Sequence, residues 1–423
     1  MSVERKTALF SGINFKQIAL FLAVIGPGII TASVDNDAGG ITTYTLAGAH
    51  FGYSLLWTLI PIAIVLVIVQ EMSARMGVVT GKGLSDLIRE NFGLKLTVLL
   101  TLVLLVANLG NTMAEFAGVA ASMEVFHVTK YISVPIAAAL VWILVVKGTY
   151  SMVEKIFLIA SAFYLTYAIS GLLANPDWGY VAASTVVPTV SFNPGYLAMV
   201  IGLVGATIAP WMQFYIQSSI VDKGIKISEY RYTKLDVIIG CLVTDIVAFF
   251  IIVTCAATIY PSGISVESAA EAALALVPLA GQYSSWLFAF GLFNASILAA
   301  SILPLATAYT ICEGMGWDSG IDKKFKDAPQ FYTLYTMLIV IGAAIILIPG
   351  IPLIEIMVMS QVLNGILLPV ILVFMLLLIN NKKLMGSYTN GKIYNYISWG
   401  LTIAMTLLTL AMIATSIFPG LFM

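Results

Sequence analysis

Charge is scarce in this chain. Only 10% of its 423 residues are Asp, Glu, Lys or Arg, against a hydrophobic share of 60%, whereas a soluble domain carries about a quarter charged residues. Such a chain has no basic surface to offer nucleic acid, and none is expected as a partner. Histidine is nearly absent: His50 and His127 both map to helix ends. Cysteine is limited to Cys241, Cys255 and Cys312, all in apolar segments at no metal-ligand spacing. They read as small hydrophobes, so neither a zinc centre nor a disulfide framework is expected. No nucleophile sits with a base, which argues against an enzyme, and no resident cofactor is expected. The first 14 residues hold no apolar core with a cleavage-like site, so a cleaved signal peptide is not expected either.

What the chain has instead is apolar runs of about 20 residues, the length of a helix that crosses a bilayer. We expect an all-α integral membrane protein of eleven spans. They cover roughly 15–50, 54–74, 96–123, 131–147, 153–173, 194–221, 235–260, 283–312, 331–349, 352–380 and 394–418. The basic residues support that map. Arg5, Lys6 and Lys16 precede span one; Arg75, Lys82, Arg89 and Lys95 follow span two; Lys147 and Lys155 flank the next loop on that side. Lys223, Lys226, Arg231 and Lys234 follow span six, Lys323, Lys324 and Lys326 span eight, and Lys382, Lys383 and Lys392 span ten, leaving Lys130 alone opposite. The excess of basic residues on one side predicts a cytoplasmic N-terminus and an external C-terminus, in a bacterial plasma membrane.

Two spans are interrupted. Span one contains "SVDNDAGGITT" between Gly26-Pro27-Gly28 and the apolar run after Gly39-Gly40. Span six has Gly202, Gly205 and then Ala-Thr-Ile-Ala-Pro ending at Pro210. Glycine and proline free backbone groups from the helix ladder, which the membrane tolerates only where the site faces protein or a water-filled cavity. Interruptions five spans apart predict a 5+5 inverted repeat with a LeuT-like fold, 15–173 and 194–380, followed by an eleventh helix at 394–418. The whole chain would form one transmembrane transporter domain, with solute bound where the broken helices meet.

Carboxylates at membrane depth are costly and so are functional candidates. Asp35, Asp37, Glu115 and Asp245 lie well inside spans, and no Lys or Arg does. Something mobile and positive, or a proton, must satisfy them. Glu115 and Asp245 read either as hydrogen-bonded carboxyls joining helices or as members of a proton network. Asp35 and Asp37 flank Asn36 in the unwound segment, where carboxylate, amide and carbonyl oxygens suit hard divalent cations. One of the two Asp residues caps the second half-helix. Glu71, one turn before Arg75, reads as a structural pair with it.

Several stretches carry a resemblance. "GPGIITASVDNDAGGITTYTLAGAHFGYSLLW", "ARMGVVTGKG" at 74–83, "AEFAG" at 114–118, "GATIAPW" at 205–211 and "SQVLNGILLP" at 360–369 occur in order. Together they resemble the NRAMP family of divalent metal transporters, over nearly the whole chain. Counting back from Ala47-Gly48-Ala49 aligns Asp37-Ala38-Gly39-Gly40 with the family's Asp-Pro-Gly-Asn metal motif. "GATIAPW" corresponds to Ala-x-x-Met-Pro-His of its sixth helix. The resemblance implies a site built from Asp37, the carbonyl of Ala206, and the positions Ala38, Gly40 and Ala209.

The departures are informative. Where the family has the motif Asn this chain has Gly40, and Ala209 replaces the Met thioether, the soft ligand that favours transition metals over Mg²⁺. Smaller side chains are expected to widen the site for a partly hydrated ion. Trp211 replaces the family's His, Thr112 an Asp, and 331–349 lacks the basic residues of the ninth helix. These features resemble the NRAMP-related magnesium transporter branch, which implies Mg²⁺ transport, with Mn²⁺ also carried, by alternating access without proton coupling. Gln361 is expected at the metal, with Asp35, Asn36, Gln213 and Asn364 lining the cavity, in a monomer embedded in the lipid bilayer. Two alternatives stay open: a proton-coupled Mn²⁺/Fe²⁺ importer with a relay through Glu115 or Asp35, and a Na⁺-coupled amino-acid transporter. A non-transporting scaffold is disfavoured by its deep acids.

Overall fold

The structure, a computed structural model, describes residues 27–147, 164–321 and 323–417. The start of span one with Arg5, Lys6, Lys16 and Gly26, and the stretch 148–163 with Lys155 and the beginning of span five, lie outside the described residues.

Backbone buried in hydrocarbon must bond to itself, and a helix does so within one segment. The longer helices are α1 Pro27–Asp35, α2 Ala38–Phe51, α3 Leu59–Thr80, α4 Leu84–Phe92, α5 Leu94–Glu124, α6 Lys130–Lys147 and α7 Leu165–Leu173. They continue with α8 Trp178–Val186, α9 Pro194–Thr207, α10 Pro210–Asp222, α11 Tyr230–Thr258, α12 Ser284–Met315, α13 Pro329–Ile346, α14 Leu353–Ile379 and α15 Lys392–Ile417. Among the described residues, nine helical stretches are long and apolar enough to cross a membrane. The first expected span appears as two halves, α1 and α2, and of the fifth only its end, α7, is described. Leu99, Val106, Ile132, Ile136 and Leu407 point outward and are exposed, as a lipid-facing surface requires.

One boundary departs from expectation in a useful way. Span two was expected to stop near residue 74, but α3 continues to Thr80 and stops where Gly81 adopts φ +64°. Arg75 therefore lies inside a helix and is buried. Its charge is met by Glu71 at 3.1 Å, one turn back, and by the Tyr388 carbonyl at 3.1 Å and Asn390 Oδ1 at 2.5 Å. Tyr230 donates to the same Glu71. This hub ties α3 to the start of α11 and to the segment before α15.

Close approach of helices around the core depends on glycine. A Cβ on Gly205 would meet the Gln361 carbonyl and lie 2.9 Å from Gly365 Cα. α9 and α14 thus pack backbone to backbone, the usual way helices gain attraction in lipid. We expect Gly205→Val to force these helices apart and to lower stability by about 1–3 kcal/mol. Gly110→Ala on α5, where nothing lies within 4 Å of the added atom, serves as control. Thermal melting of the detergent-solubilised protein should show a clear drop for the first and none for the second.

Candidate cation-binding site at the two helix breaks

α1 ends at Asp35 and α2 begins at Ala38, with Asn36 between them and Asp37 joined to α2 through its carbonyl, which accepts from Ile41 N at 2.9 Å. Asp37 is the N-cap of α2: its Oδ1 accepts from Gly40 N at 2.6 Å, satisfying a donor that a helix start leaves orphaned. Gly40 is not a vacant position. A Cβ there would lie 2.6 Å from the Asp35 carbonyl oxygen, so glycine lets the end of α1 close down on the start of α2. The expectation that glycine widens the site is corrected here: at residue 40 the space is filled by backbone.

The second break falls at Ile208 and Ala209, between α9 and α10. Pro210 carries no N–H, so the Ala206 carbonyl lacks the donor that a continuous helix would supply. Tyr44 on α2 bonds to Thr207 at 2.8 Å, joining the two breaks. Gln213 does not reach across the cavity. Oriented with its nitrogen inward, its amide donates to the carbonyls of Ala209 at 2.6 Å and Pro210 at 2.8 Å.

Three further helices complete the site. On α14, Gln361 Nε2 donates to Asp37 Oδ1 at 3.3 Å, and Asn364 Nδ2 donates to Gln361 Oε1 at 2.9 Å. Gly39 makes room for this, because a Cβ there would overlap the Gln361 amide. On α5, Glu115 Oε2 accepts from Ala38 N at 3.2 Å, and its carboxyl lies beside that of Asp37. On α11, Asp236 caps the other end of α1, accepting from Gly28 N at 2.7 Å and Ile29 N at 3.3 Å. Thr244 donates to the Ala32 carbonyl at 2.5 Å. Asp245 follows it, and both its oxygens, like both of Asp35, have no hydrogen-bond partner among the described residues.

Every one of these groups is shielded. Asp35 is 2% exposed, Asp37 4% and Asp245 8%, and none of the three, nor Glu115, has an ion pair among the described residues. Also among the described residues, no three His, Cys, Asp or Glu side chains group closely enough to hold a metal by themselves. A cation here would rest on Asp37, the freed Ala206 carbonyl and neutral amide oxygens. That donor set is hard and oxygen-only, suited to Mg²⁺, Mn²⁺ or Ca²⁺.

The structure gathers Asp37, Ala38, Gly40, Gln361, Asn364 and Glu115 through these bonds, and joins Ala206 and Ala209 to them through the Tyr44–Thr207 contact. Asn36 enters through its backbone, whose carbonyl accepts from Tyr164 at 2.7 Å. Sequence reasoning passed over Asp236, Asn108, Asn111 and Met357. Asp236 sits near a helix start and reads as a surface charge. The two asparagines stand at i and i+3 on α5, two turns and one turn before Glu115, and that spacing was the available signal. Met357 Sδ accepts from Thr42 at 3.4 Å, one helical turn before Gln361.

Two broken helices, with acid at one and a proline-freed carbonyl at the other, define a helical membrane protein built around a polar site inside its core. The chain belongs to the Nramp family: the family model, described as natural resistance-associated macrophage protein-like, matches residues 28–415. It is 27% identical over 399 residues to a divalent metal cation transporter MntH of Caldanaerobacter subterraneus, covering 92% of this chain and 91% of the relative. Its fold is similar to that of the Eremococcus coleocola manganese transporter, with TM-score 0.78, 21% identity, 97% of this chain and 90% of the other covered. A nucleobase-cation-symport-1 family transporter, Mhp1, shares the fold more distantly, at TM-score 0.60 and 14% identity over 93% of this chain and 91% of that one.

The position of α1 is set by its cap. We expect Asp236→Ala to lower the stability of the protein by about 0.5–2 kcal/mol and to loosen α1. A cysteine introduced at Ala32 should then react faster with a membrane-permeant thiol reagent than in the otherwise unchanged protein.

Proposed function

We propose that this protein carries divalent metal cations across a membrane by alternating access around Asp37. The observation that carries the reading is the meeting of Asp37, at the break of one helix, with the Gln361 amide and the second break that frees the Ala206 carbonyl. All are buried, so a cation can enter and leave only if the surrounding helices move. The breaks in α1–α2 and α9–α10 support an eleven-span arrangement with a five-plus-five inverted repeat. The basic residues support a cytoplasmic N-terminus. An inside-negative potential would favour uptake by about 2.3 kcal/mol per charge per 100 mV.

Two cargo assignments compete. Proton-coupled Mn²⁺ or Fe²⁺ import is supported by the relatives, named as divalent metal cation and manganese transporters, and by Glu115 beside Asp37. Two adjacent carboxyls in a dry site call for a shared proton or a cation. Uncoupled Mg²⁺ transport is favoured by the donors: Gly40 and Ala209 bring no side-chain ligand. The relatives give the first assignment the broader support.

One experiment separates them. Purified protein in liposomes is offered Mn²⁺, Mg²⁺ and Ca²⁺ under an inside-negative potential while internal pH is followed. Mn²⁺ entry with acidification that requires the metal supports coupled import; Mg²⁺ entry without acidification supports the second assignment. In either case Asp37→Ala should reduce uptake to the level of protein-free liposomes. Full flux through that variant would sink the site.

A further inference from the structure

The reading above asks Gln361 to turn its carbonyl oxygen towards a cation on Asp37, yet the opposite end of the amide faces inward. Its Nε2 donates to Asp37 Oδ1, and its Oε1 accepts from Asn364. Asn364 and Asn111 form a reciprocal pair, each Nδ2 donating to the other's Oδ1, at 3.0 and 3.1 Å. Asn111 Nδ2 also reaches Asn108 Oδ1 at 3.5 Å. Asn108 Nδ2 is the loose end, buried and with no partner among the described residues. The chain of amides thus runs from Asp37 through α14 into α5.

An amide carries a donor and an acceptor on ends of nearly equal shape, so its partners decide its orientation. Turning Gln361 alone would set its oxygen against the Asp37 carboxylate and its nitrogen against Asn364 Nδ2. Turning all four together leaves no clash within the chain. Gln361 Nε2 would then donate to Asn364 Oδ1, the asparagine pair would re-form with roles exchanged, and Asn108 Nδ2 would donate to Asn111 Oδ1. Both arrangements are complete along the chain and differ at its ends: N–H or C=O towards Asp37, and an idle or a bonded Asn108 Nδ2. A cation on Asp37 repels the first inner end and attracts the second.

We propose that Asn364, Asn111 and Asn108 are a relay of amides that reverses the Gln361 side chain, offering N–H to Asp37 when the site is closed and C=O to a bound cation. Asn364 and Asn111 are positioning residues, acting through Gln361. The relay is a two-state element whose balance the cation shifts. It rests on the transport reading above.

The test is a double-mutant cycle on uptake into liposomes of Mn²⁺ or Mg²⁺, whichever the unaltered protein carries faster. Asn364→Leu should raise KM about tenfold, the lower end of what loss of a ligand's supporting partner costs, with Vmax little changed. Gln361→Leu should raise KM at least as much, and the double variant no further than Gln361→Leu alone. Asn364→Ser, whose hydroxyl both donates and accepts, should recover part of the loss. If Asn364→Leu does not fold, Asn111→Leu takes its place in the same cycle. KM increases that multiply in the double variant would overturn the relay and leave the transport reading standing. Absence of uptake of either metal by the unaltered protein would overturn both.

Discussion

The structure depends on keeping an acidic, unwound piece of backbone dry. The backbone is broken at Asn36 and Asp37, both buried, and each freed group costs several kcal/mol unless the protein meets it. The answers come from different helices. Gly40 N is met by Asp37 itself, Ala38 N by Glu115 and the Asn36 carbonyl by Tyr164. These donors and acceptors reach the break only because small residues let neighbours approach: Gly39 admits the Gln361 amide and Gly118 accommodates Ala38. The glycines are therefore part of the electrostatics of the site as much as of its packing.

The anchoring also pairs the helices. α1 is held to α11 by a charged cap at its first turn and by Thr244 higher up. α9 is held to α14 by direct backbone contact at Gly205 and Gly365. α2 packs against both α9 and α14, and hydrogen bonds run across that contact from Tyr44 to Thr207, Gln361 to Asp37 and Thr42 to Met357. A neutral hydrogen bond such as Tyr44 to Thr207 is worth about 1 kcal/mol net and one to a carboxylate about 1.5–3, whereas parting a close-packed interface forfeits many contacts at once.

Much of this could be read from residue order. Apolar run length marked the helices, and Gly and Pro with acids between them marked both breaks, because these residues have few other uses at membrane depth. Asp37 and Glu115 stood out as acids at membrane depth, and Gln361 through the resemblance of its segment to the family's tenth helix. What stayed hidden depends on distances between helices far apart in sequence. Nothing local distinguishes Asp236, two hundred residues from Gly28, from any acid at a helix start. Asn108 and Asn111 look like ordinary polar residues until α14 lays Asn364 against them. Gly40 misled for a related reason: a missing side chain suggests room, but whether room exists depends on the backbone opposite, here the Asp35 carbonyl.

That last point bears on the choice of ion. If Gly40 does not enlarge the site, selectivity must come from the kind and number of donors. Asp37 contributes one full charge, Ala206 a carbonyl dipole, and Gln361 an oxygen only once its amide has turned. Three oxygens fall short of the six that Mg²⁺ or Mn²⁺ prefers, and the balance would be water carried in with the ion. Retained water blunts discrimination among divalent ions, since much of each ion's shell is unchanged on binding. A soft ligand would sharpen it, but the nearby sulfur, Met357, is engaged with Thr42. Such a site distinguishes charge more strongly than chemical identity. Under the proposed transport reading, Mg²⁺ and Mn²⁺ would therefore compete closely at Asp37.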